Sequence, residues 1–466
     1  MVKSYDVIII GTGPAGIFAA LELTRRFSSL KIAMFEKGRS LRDRVCPLQN
    51  GAAHCSQCNP CSVISGWGGA GAFSDGKLTL SPEVGGMLDR YLSLGDILRL
   101  IKYVDDIFVH FGAPSEVYGK DREEEVEAIR RKAVLAQLKL VPAPVRHMGT
   151  GRTQDVLKGM LDELVDYGVE IHYVETVDQI LTENGSVKGV RTKSGEDFYA
   201  SYVVCAPGRD GSEWLANESK RLGLSTAVNP VDVGVRVEIP AEVMAHITDI
   251  VYESKFIFHS RTFDDQVRTF CMNPYGEVVQ ENTDGLATVN GHTHAERKTD
   301  NTNFAILVSK NFTEPFKEPI AYGKYIASLA NLLGGGVLVQ RLGDLMSGRR
   351  TTVDRLAKSI IVPTLKEATP GDLSLVFPYR HLVGIMEMLQ ALDVVAPGIY
   401  SKYTLLYGVE VKFYSSRLEV DKGLETKINN LFGAGDGAGI TRGLIQASIS
   451  GVVAARSIAE KIGRRT

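Results

Sequence analysis

A strand that runs into a glycine turn and an apolar helix near the start of the chain, the same order near its end, and a β-rich middle together predict an α/β fold. The expected architecture is a Rossmann-like nucleotide-binding domain, discontinuous in sequence, with an inserted β-rich α+β lobe. Near the start, the β-branched and apolar run from Tyr5 to Ile10 meets Gly11-Thr12-Gly13-Pro14-Ala15-Gly16, and an Ala/Leu-rich helical stretch follows to Arg26. A second strand, Lys31 to Phe35, ends at the acid Glu36. Near the end, Leu431-Phe432-Gly433 leads into Ala434-Gly435-Asp436-Gly437-Ala438-Gly439, then Thr441-Arg442-Gly443 and an amphipathic helix to about Ile462.

Between these ends the pattern changes several times. Residues 80 to 145 read as mainly helical, with the charge-dense run from Lys120 to Lys132 as a solvated helix face. Arg152 to Tyr167 has helical periodicity, and Val169 to Val174 reads as a strand. Asn184-Gly185 supplies hairpin chemistry ahead of strands at Val187 to Thr192 and Tyr199 to Cys205, the last ending in Ala206-Pro207-Gly208. From about Asn229 longer β-rich segments take over, including Val233 to Glu238, Phe304 to Ser309 and Gly336 to Gln340. The expected division is 1–80 (first nucleotide-binding part, with a cysteine cluster), 81–147 (helical insertion), 148–225 (second part), 226–400 (substrate lobe) and 401–466 (third part).

Composition narrows the function classes. Across 466 residues, 53 basic side chains meet 55 acidic ones for a net charge of −2, which argues against general attraction to nucleic acid or anionic membrane. The apolar run after Asp6 is too short for a secretory segment, and no stretch approaches a membrane span. A soluble cytoplasmic protein with reduced thiols is the expectation.

The spacing of Gly11, Gly13 and Gly16 is what a phosphate-binding turn needs: one glycine for the turn, one for close approach to pyrophosphate, one for helix packing. The helix that follows directs its unpaired N–H groups at the phosphates. Glu36 stands where a carboxylate accepts from ribose hydroxyls. This first turn does not separate FAD from NAD. The second does, because Asp436 among small residues suits the ribityl chain, and a helix N-terminus aimed at the flavin ring favours its anionic reduced form. The run Gly66-Trp67-Gly68-Gly69-Ala70-Gly71-Ala72-Phe73-Ser74-Asp75-Gly76-Lys77 reads as a loop pinned by its aromatic residues while its backbone passes a ligand.

The motifs GTGPAG, GWGGAGAFSDGKL, CAPGRDG and FGAGDGAGITRGL together resemble the FAD-dependent dehydrogenase family, the NAD(FAD)-utilising dehydrogenases. More distantly they are similar to flavoproteins of the glutathione-reductase-2 class. The resemblance covers Tyr5 to about Leu78, Thr150 to Gly211 and Lys402 to the end. It implies bound FAD and leaves the reaction open. The candidate cofactor-binding residues are Gly11, Gly13, Pro14, Ala15, Gly16, Glu36, Lys37, Gly68, Gly69, Ala70, Gly71, Ser74, Asp75, Lys77, Ala206, Gly208, Gly435, Asp436, Ala438, Gly439, Arg442 and Gly443.

Four of six cysteines, Cys46, Cys55, Cys58 and Cys61, form a C-x8-C-x2-C-x2-C series. The two x2 spacings suit a shared centre, either a [4Fe-4S] cluster or zinc, with a redox dithiol or free thiols as the other readings. The x2 run resembles the ligand run of bacterial ferredoxins, although its fourth cysteine precedes the run. His54 is an alternative ligand, and a lone loop histidine is more often solvent-facing. Cys205 and Cys271 lie in apparent strands and read as buried, inert thiols.

No second nucleotide fingerprint follows. Gly149-Thr150-Gly151-Arg152-Thr153-Gln154 has Gln154 in place of the third glycine and reads as a loop opening a helix. Lys412, Tyr414 and Arg442 are candidates near the flavin, with structural roles equally open, and His292, His294 and Arg297 read as loop residues. No nucleophile–base arrangement stands out, so no catalytic residue is assigned. The expectation is an FAD-dependent oxidoreductase acting on a small organic substrate, with an iron–sulfur centre as a relay. The alternatives are an electron-transfer flavoprotein serving a redox partner protein and an FAD-dependent nucleic-acid-modifying enzyme.

Overall fold

The computed structural model describes residues 3–47, 58–74, 76–141, 143–283, 285–293, 298–310, 318–412 and 416–464, and in it strand Asp197–Cys205 organises the first of two units. Strand Lys3–Ile10 pairs with it in parallel along one side, and the short strand Leu431–Gly433 pairs in parallel on the other. Ile32–Glu36 and then Glu170–Tyr173 extend the parallel part outward, while Ser186–Thr192 and Val177–Glu183 add an antiparallel hairpin. Asn184 and Gly185 make its two-residue turn, both with positive φ, as a type I′ connection requires.

This unit comprises residues 1–116, 146–229 and 415–466. Its sheet is covered by helices whose sequences explain their positions. Helix Pro14–Arg26 starts on a proline, whose missing N–H costs nothing there, and buries every residue from Ala15 to Thr24. Helix Leu444–Gly463 lies against it through small residues. A methyl group at Gly451 would stand 2.0 Å from the Ala15 carbonyl oxygen and 3.0 Å from the Ala19 nitrogen, so only glycine allows that approach. Glu22, buried between helices, accepts from Tyr103 (2.5 Å), Arg26 (2.8 Å) and Arg456 (2.8 Å) and so ties in helix Leu94–His110 as well. Burial opposes the charge of Glu22, but these three donors outweigh it and hold the carboxyl below its usual range.

The second unit comprises residues 117–145 and 230–414. Eight strands run in the order Thr369–Pro370, Leu338–Arg341, Leu405–Lys412, Val231–Pro240, Asn301–Lys310, Gln266–Asn273, Lys255–His259 and Lys139–Val141. Alternation sends Val231, Val233, Val235, Val237 and Ile239 to an apolar core shared with helix Tyr379–Val395. The opposite face carries buried polar side chains.

Two segments fall elsewhere than their composition suggests. Residues 81–147 do not form one helical insertion: helix Leu94–His110 joins the first unit, whereas Glu123–Leu135 and strand Lys139–Val141 join the second. The β-rich unit also extends to 414, because Leu405–Lys412 pairs with Val231–Pro240 at its centre.

His381, in helix Tyr379–Val395, is 1% exposed, and neither ring nitrogen has a partner. Burial pushes its pKa down to about 4, with the positive charges of Lys310 and Arg380 adding and Asp265 opposing. The native ring therefore stays neutral where the unfolded chain takes up a proton, so the contribution is fully present above pH 6.5 and is lost as pH falls toward 4. The loss amounts to roughly 3 kcal/mol. His381→Phe should flatten this dependence and raise stability at pH 7 by about 1 kcal/mol, since an apolar ring of similar shape leaves no unsatisfied nitrogen. Urea midpoints of both proteins between pH 7 and pH 4.5 check this, and parallel curves would refute it.

Candidate active site in the dinucleotide-binding unit

Three glycine-containing turns leave the first sheet at one level, because Ile10 and Gly433 are both register partners of Cys205. Gly11–Gly16 follows Ile10, Ala206–Gly208 follows Cys205, and Ala434–Gly439 follows Gly433. The ends of parallel strands are where open α/β sheets bind ligands.

Within the first turn each glycine has its own reason. Gly11 has φ +97°, and a methyl group there would lie 2.2 Å from the Ala206 carbonyl oxygen. At Gly16 it would lie 2.0 Å from the Gly11 carbonyl oxygen. At Gly13 it would meet nothing within 4 Å, so that position faces open space at the start of helix Pro14–Arg26, whose N-cap has no side-chain partner. An anion is what such an uncapped end accepts.

Glu36 does more than sequence reasoning assigned to it. Its carboxylate already accepts four hydrogen bonds, from the Thr12 amide (3.0 Å), the Thr12 hydroxyl (2.8 Å), the Gly38 amide (2.8 Å) and the Gly66 amide (3.0 Å). One side chain thus joins the phosphate turn, its own strand end and the glycine-rich loop. Beside it, the Tyr173 hydroxyl is buried and unpartnered, and burial together with Glu36 pushes its pKa well up, so it stays protonated. Lys37 pairs with Asp210 at 2.5 Å, and Ser65 donates to the same carboxylate at 2.6 Å.

The glycine-rich loop is pinned by its aromatic residues and by an arginine that the sequence did not reveal. Buried Arg44 donates to the carbonyls of Ser62 (2.8 Å), Val63 (2.8 Å), Trp67 (2.5 Å) and Gly69 (2.9 Å), and its guanidinium stacks on Phe73 at 4.7 Å. Burial pushes Arg44 down to about 10, against the pull of Glu36 and Cys61, so it remains charged at neutral pH. Trp67 is fully buried and donates to the Leu157 carbonyl at 2.9 Å. Gly68 donates its amide to the Thr12 carbonyl at 2.8 Å, and Gly69 to Phe73 wind into a short 3₁₀ turn that includes Ala70 and Gly71. A methyl group on Gly71 would stand 2.7 Å from Leu444, at the start of the C-terminal helix. Ser74 closes the turn by donating to the Gly71 carbonyl at 2.8 Å. Lys77 is half-buried at the start of strand Lys77–Thr79, and Asp75 lies outside the described residues.

The third turn mirrors the first. Gly435 has φ +76°, and a methyl group there would lie 3.0 Å from the Ala15 Cβ, while Gly439 backs onto Arg417. A methyl group on Gly437 would strike the Gly208 carbonyl oxygen at 2.3 Å, which seats the second turn against the third. Ala438 is buried. Asp436 accepts from the Thr441 hydroxyl at 2.9 Å and, more loosely, the Gly443 amide at 3.4 Å, with Arg209 3.9 Å away. Burial raises its pKa while Arg209, Thr441, Gly443 and Arg442 oppose. Arg442 lies beside Gly85, donating its amide at 2.5 Å. Gly443 caps helix Leu444–Gly463 with open space above it and no side-chain partner, and the buried Gln446 Oε1 is unpartnered two residues into that helix.

Other expectations fare differently. Gly149 opens helix Thr150–Asp166 within this unit, as the missing third glycine implied. Among the described residues no three His, Cys, Asp or Glu side chains form a group that could hold a metal. Of the clustered cysteines, Cys46, Cys58 and Cys61 are described, whereas His54 and Cys55 lie outside the described residues. Cys205 is buried, and burial pushes its thiol far up, which makes it inert. Cys271 differs from expectation: it is only half-buried, with φ +48° at an irregularity in strand Gln266–Asn273.

Lys412 belongs to the second unit and pairs with fully buried Glu410 at 3.0 Å. Glu410 also holds the guanidinium of Arg236 at 3.3 Å. The Arg236 Nε donates to Asn303 at 2.9 Å, and a methyl group on Gly291 would lie 2.0 Å from the Arg236 Nη2. The Asn303 Nδ2 in this cluster is buried and unpartnered. His292 is exposed at a strand end, and His294, Arg297 and Tyr414 lie outside the described residues.

The first unit thus has a Rossmann-type α/β fold with three glycine-containing turns at one edge of its sheet. Residues 230–413, nearly coincident with the long segment of the second unit, match the model of the family described as FAD-dependent protein, C-terminal domain-like. An uncharacterized protein of Clostridium beijerinckii is 27% identical over 97% of this chain and 80% of its own length. Among solved structures the chain is similar to glycine oxidase from Geobacillus kaustophilus, with 14% identity, coverage of 98% and 95% of the two chains and a TM-score of 0.41. It is also similar to 3-ketosteroid-delta4-(5alpha)-dehydrogenase from Rhodococcus jostii RHA1, with 15% identity, 98% and 97% coverage and a TM-score of 0.45.

Gly451→Val tests whether close helix approach shapes the site. The added side chain must displace Ala15, which moves the two uncapped helix ends apart. Stability should fall by roughly 1–3 kcal/mol, and flavin content should fall with it. Thermal melting and the visible spectrum of the purified variant give both readouts, and full flavin content in a destabilised protein would contradict the coupling.

Proposed function

We propose that this chain is an FAD-dependent oxidoreductase whose first unit holds the cofactor and whose second unit, matched over residues 230–413 by the FAD-dependent family, is the substrate lobe. The observation that carries this reading is the common level of the glycine turns beside Cys205, which puts two uncapped helix N-termini on one binding edge. The residues fit the cofactor at both ends. Open space at Gly13 and Gly443 admits a ligand to backbone amides, and the orphaned Tyr173 hydroxyl and Gln446 carbonyl are buried groups awaiting partners.

Bound FAD would supply two-electron transfer to or from an organic substrate. Gly11 to Gly16 would hold the pyrophosphate through amides at the start of helix Pro14–Arg26. Glu36 would orient the turn through Thr12 and offer its oxygens to ribose hydroxyls, with Tyr173 beside it. Asp436 would accept from the ribityl hydroxyls, and the N-terminus of helix Leu444–Gly463 would stabilise negative charge at the ring. Arg44 would keep the loop from Gly66 to Phe73 rigid enough to exclude water.

Heat-released cofactor from freshly purified protein should be FAD at about one per chain. Glu36→Ala should weaken FAD binding by one to two decades, corresponding to roughly 1.5–3 kcal/mol for hydrogen bonds to a charged acceptor. Titration of apoprotein with FAD, followed by flavin fluorescence, measures the change. A preparation never stripped of cofactor that releases no flavin would overturn the reading.

Reduction by NADH or NADPH alone should be slow, since no second glycine fingerprint is present. Stopped-flow bleaching of the flavin checks this. Rapid saturable reduction by either nicotinamide would place a further nucleotide site on the chain.

A further inference from the structure

In the second unit, strand Leu338–Arg341 leads into two short helices, Leu342–Met346 and Val353–Leu356, and then an irregular run to Lys366. The segment is fixed from beneath. Asp344, fully buried, accepts from Arg341 (2.8 Å), Arg349 (2.9 Å) and the Thr351 hydroxyl (2.9 Å), and Arg355 donates to the Arg350 carbonyl at 2.8 Å. Ile361 and Leu365 sit in a core with Val337 and Val339, and Leu356 packs against it.

What this anchoring leaves outside is unusual. Ile361 is buried, whereas its neighbours Ile360 and Val362 are 68% and 74% exposed, and Val353 is 70% exposed. Large aliphatic side chains this exposed mark an interaction surface when they cluster with charge of one sign. Between residues 346 and 366 there are five basic side chains and one acid, Asp354, in a chain whose overall charge is −2. Of the five, Arg349, Arg350, Lys358 and Lys366 are exposed.

The chemistry selects one kind of partner. Aliphatic tips on a fixed backbone, in a segment rich in lysine and arginine, match a surface that is apolar below and anionic above. A nucleic acid offers the charge but nothing for isoleucine and valine, and the segment has no aromatic side chain on which a base would stack. A second copy of this chain would set like charges against each other. We propose that residues 346–366 form a peripheral docking surface for an anionic lipid bilayer, with Val353, Ile360 and Val362 entering the interface and the basic residues meeting the headgroups. This proposal stands apart from the cofactor reading.

The test is flotation of the full-length protein, as purified, with vesicles of phosphatidylcholine alone and of phosphatidylcholine mixed with phosphatidylglycerol. Binding is expected only to the anionic vesicles and should weaken as salt rises. Ile360→Glu with Val362→Glu should lower the partition coefficient at least tenfold. Arg350→Gln with Lys358→Gln should lower it about fivefold per charge removed. Both double variants should keep the parent's unfolding midpoint, because all four side chains are exposed. Absence of binding to anionic vesicles at low salt overturns the proposal, as does undiminished binding by both double variants. Sedimentation showing a dimer that the glutamate variant dissociates assigns the face to self-association and overturns it as well.

Discussion

The register of strand Asp197–Cys205 against its two parallel neighbours is the constraint on which the first unit rests. Lys3–Ile10 contributes the first glycine turn and Leu431–Gly433 the third, and both reach Cys205 at their last residues. Slipping either by one residue would displace its turn by about 3.3 Å and exchange the side chains on its two buried faces. Gly11 would then lose its place under the Ala206 carbonyl, and Gly437 its seat on Gly208. Val7 to Ile10 and Leu431 to Gly433 are buried on both faces, so close packing of every side chain fixes the register, and the geometry of the binding edge follows from the packing of the core.

Around that edge the structure uses buried charged groups as fasteners. Glu36 and Arg44 together engage eight backbone and side-chain groups from the first glycine turn, the strand end, and the glycine-rich loop with the residues just before it. Each is buried and each makes four hydrogen bonds, which is how a charge is tolerated out of water. The loop from Gly66 to Phe73 has almost no side-chain bulk of its own. Its rigidity is therefore imported, from a guanidinium behind it and from Trp67 held by the Leu157 carbonyl.

Much of this was legible in the sequence. Glycine spacing, strand alternation and the Asn184-Gly185 turn depend on local backbone sterics, and local rules recover them. Glu36 was found, but not its occupants, because the hydroxyl of Thr12 reaches it only once two strands are side by side. Arg44 carried no signal: an arginine in an irregular stretch resembles a surface residue until its carbonyl partners converge. The allocation of residues 117–145 was hidden for a related reason. Strand Lys139–Val141 is three residues long and joins a sheet edge supplied by residues more than a hundred positions later. Cys271 reads as an ordinary strand cysteine, and only the irregular register at Phe270 and Asn273 shows its left-handed backbone and partial exposure.

The contact of Gly451 with Ala15 also has a consequence for synthesis. Helix Pro14–Arg26 emerges from the ribosome well before its neighbour, which begins at Leu444. At ordinary elongation rates the wait is on the order of a minute. Throughout it, Ala15, Ala19 and the residues around them lack the surface that finally covers them. The second unit, whose strands lie wholly between those two helices, can form its sheet in the interval. The nascent N-terminal helix is thus the segment most in need of chaperone cover, and the phosphate turn is among the last parts of the chain to reach its working shape.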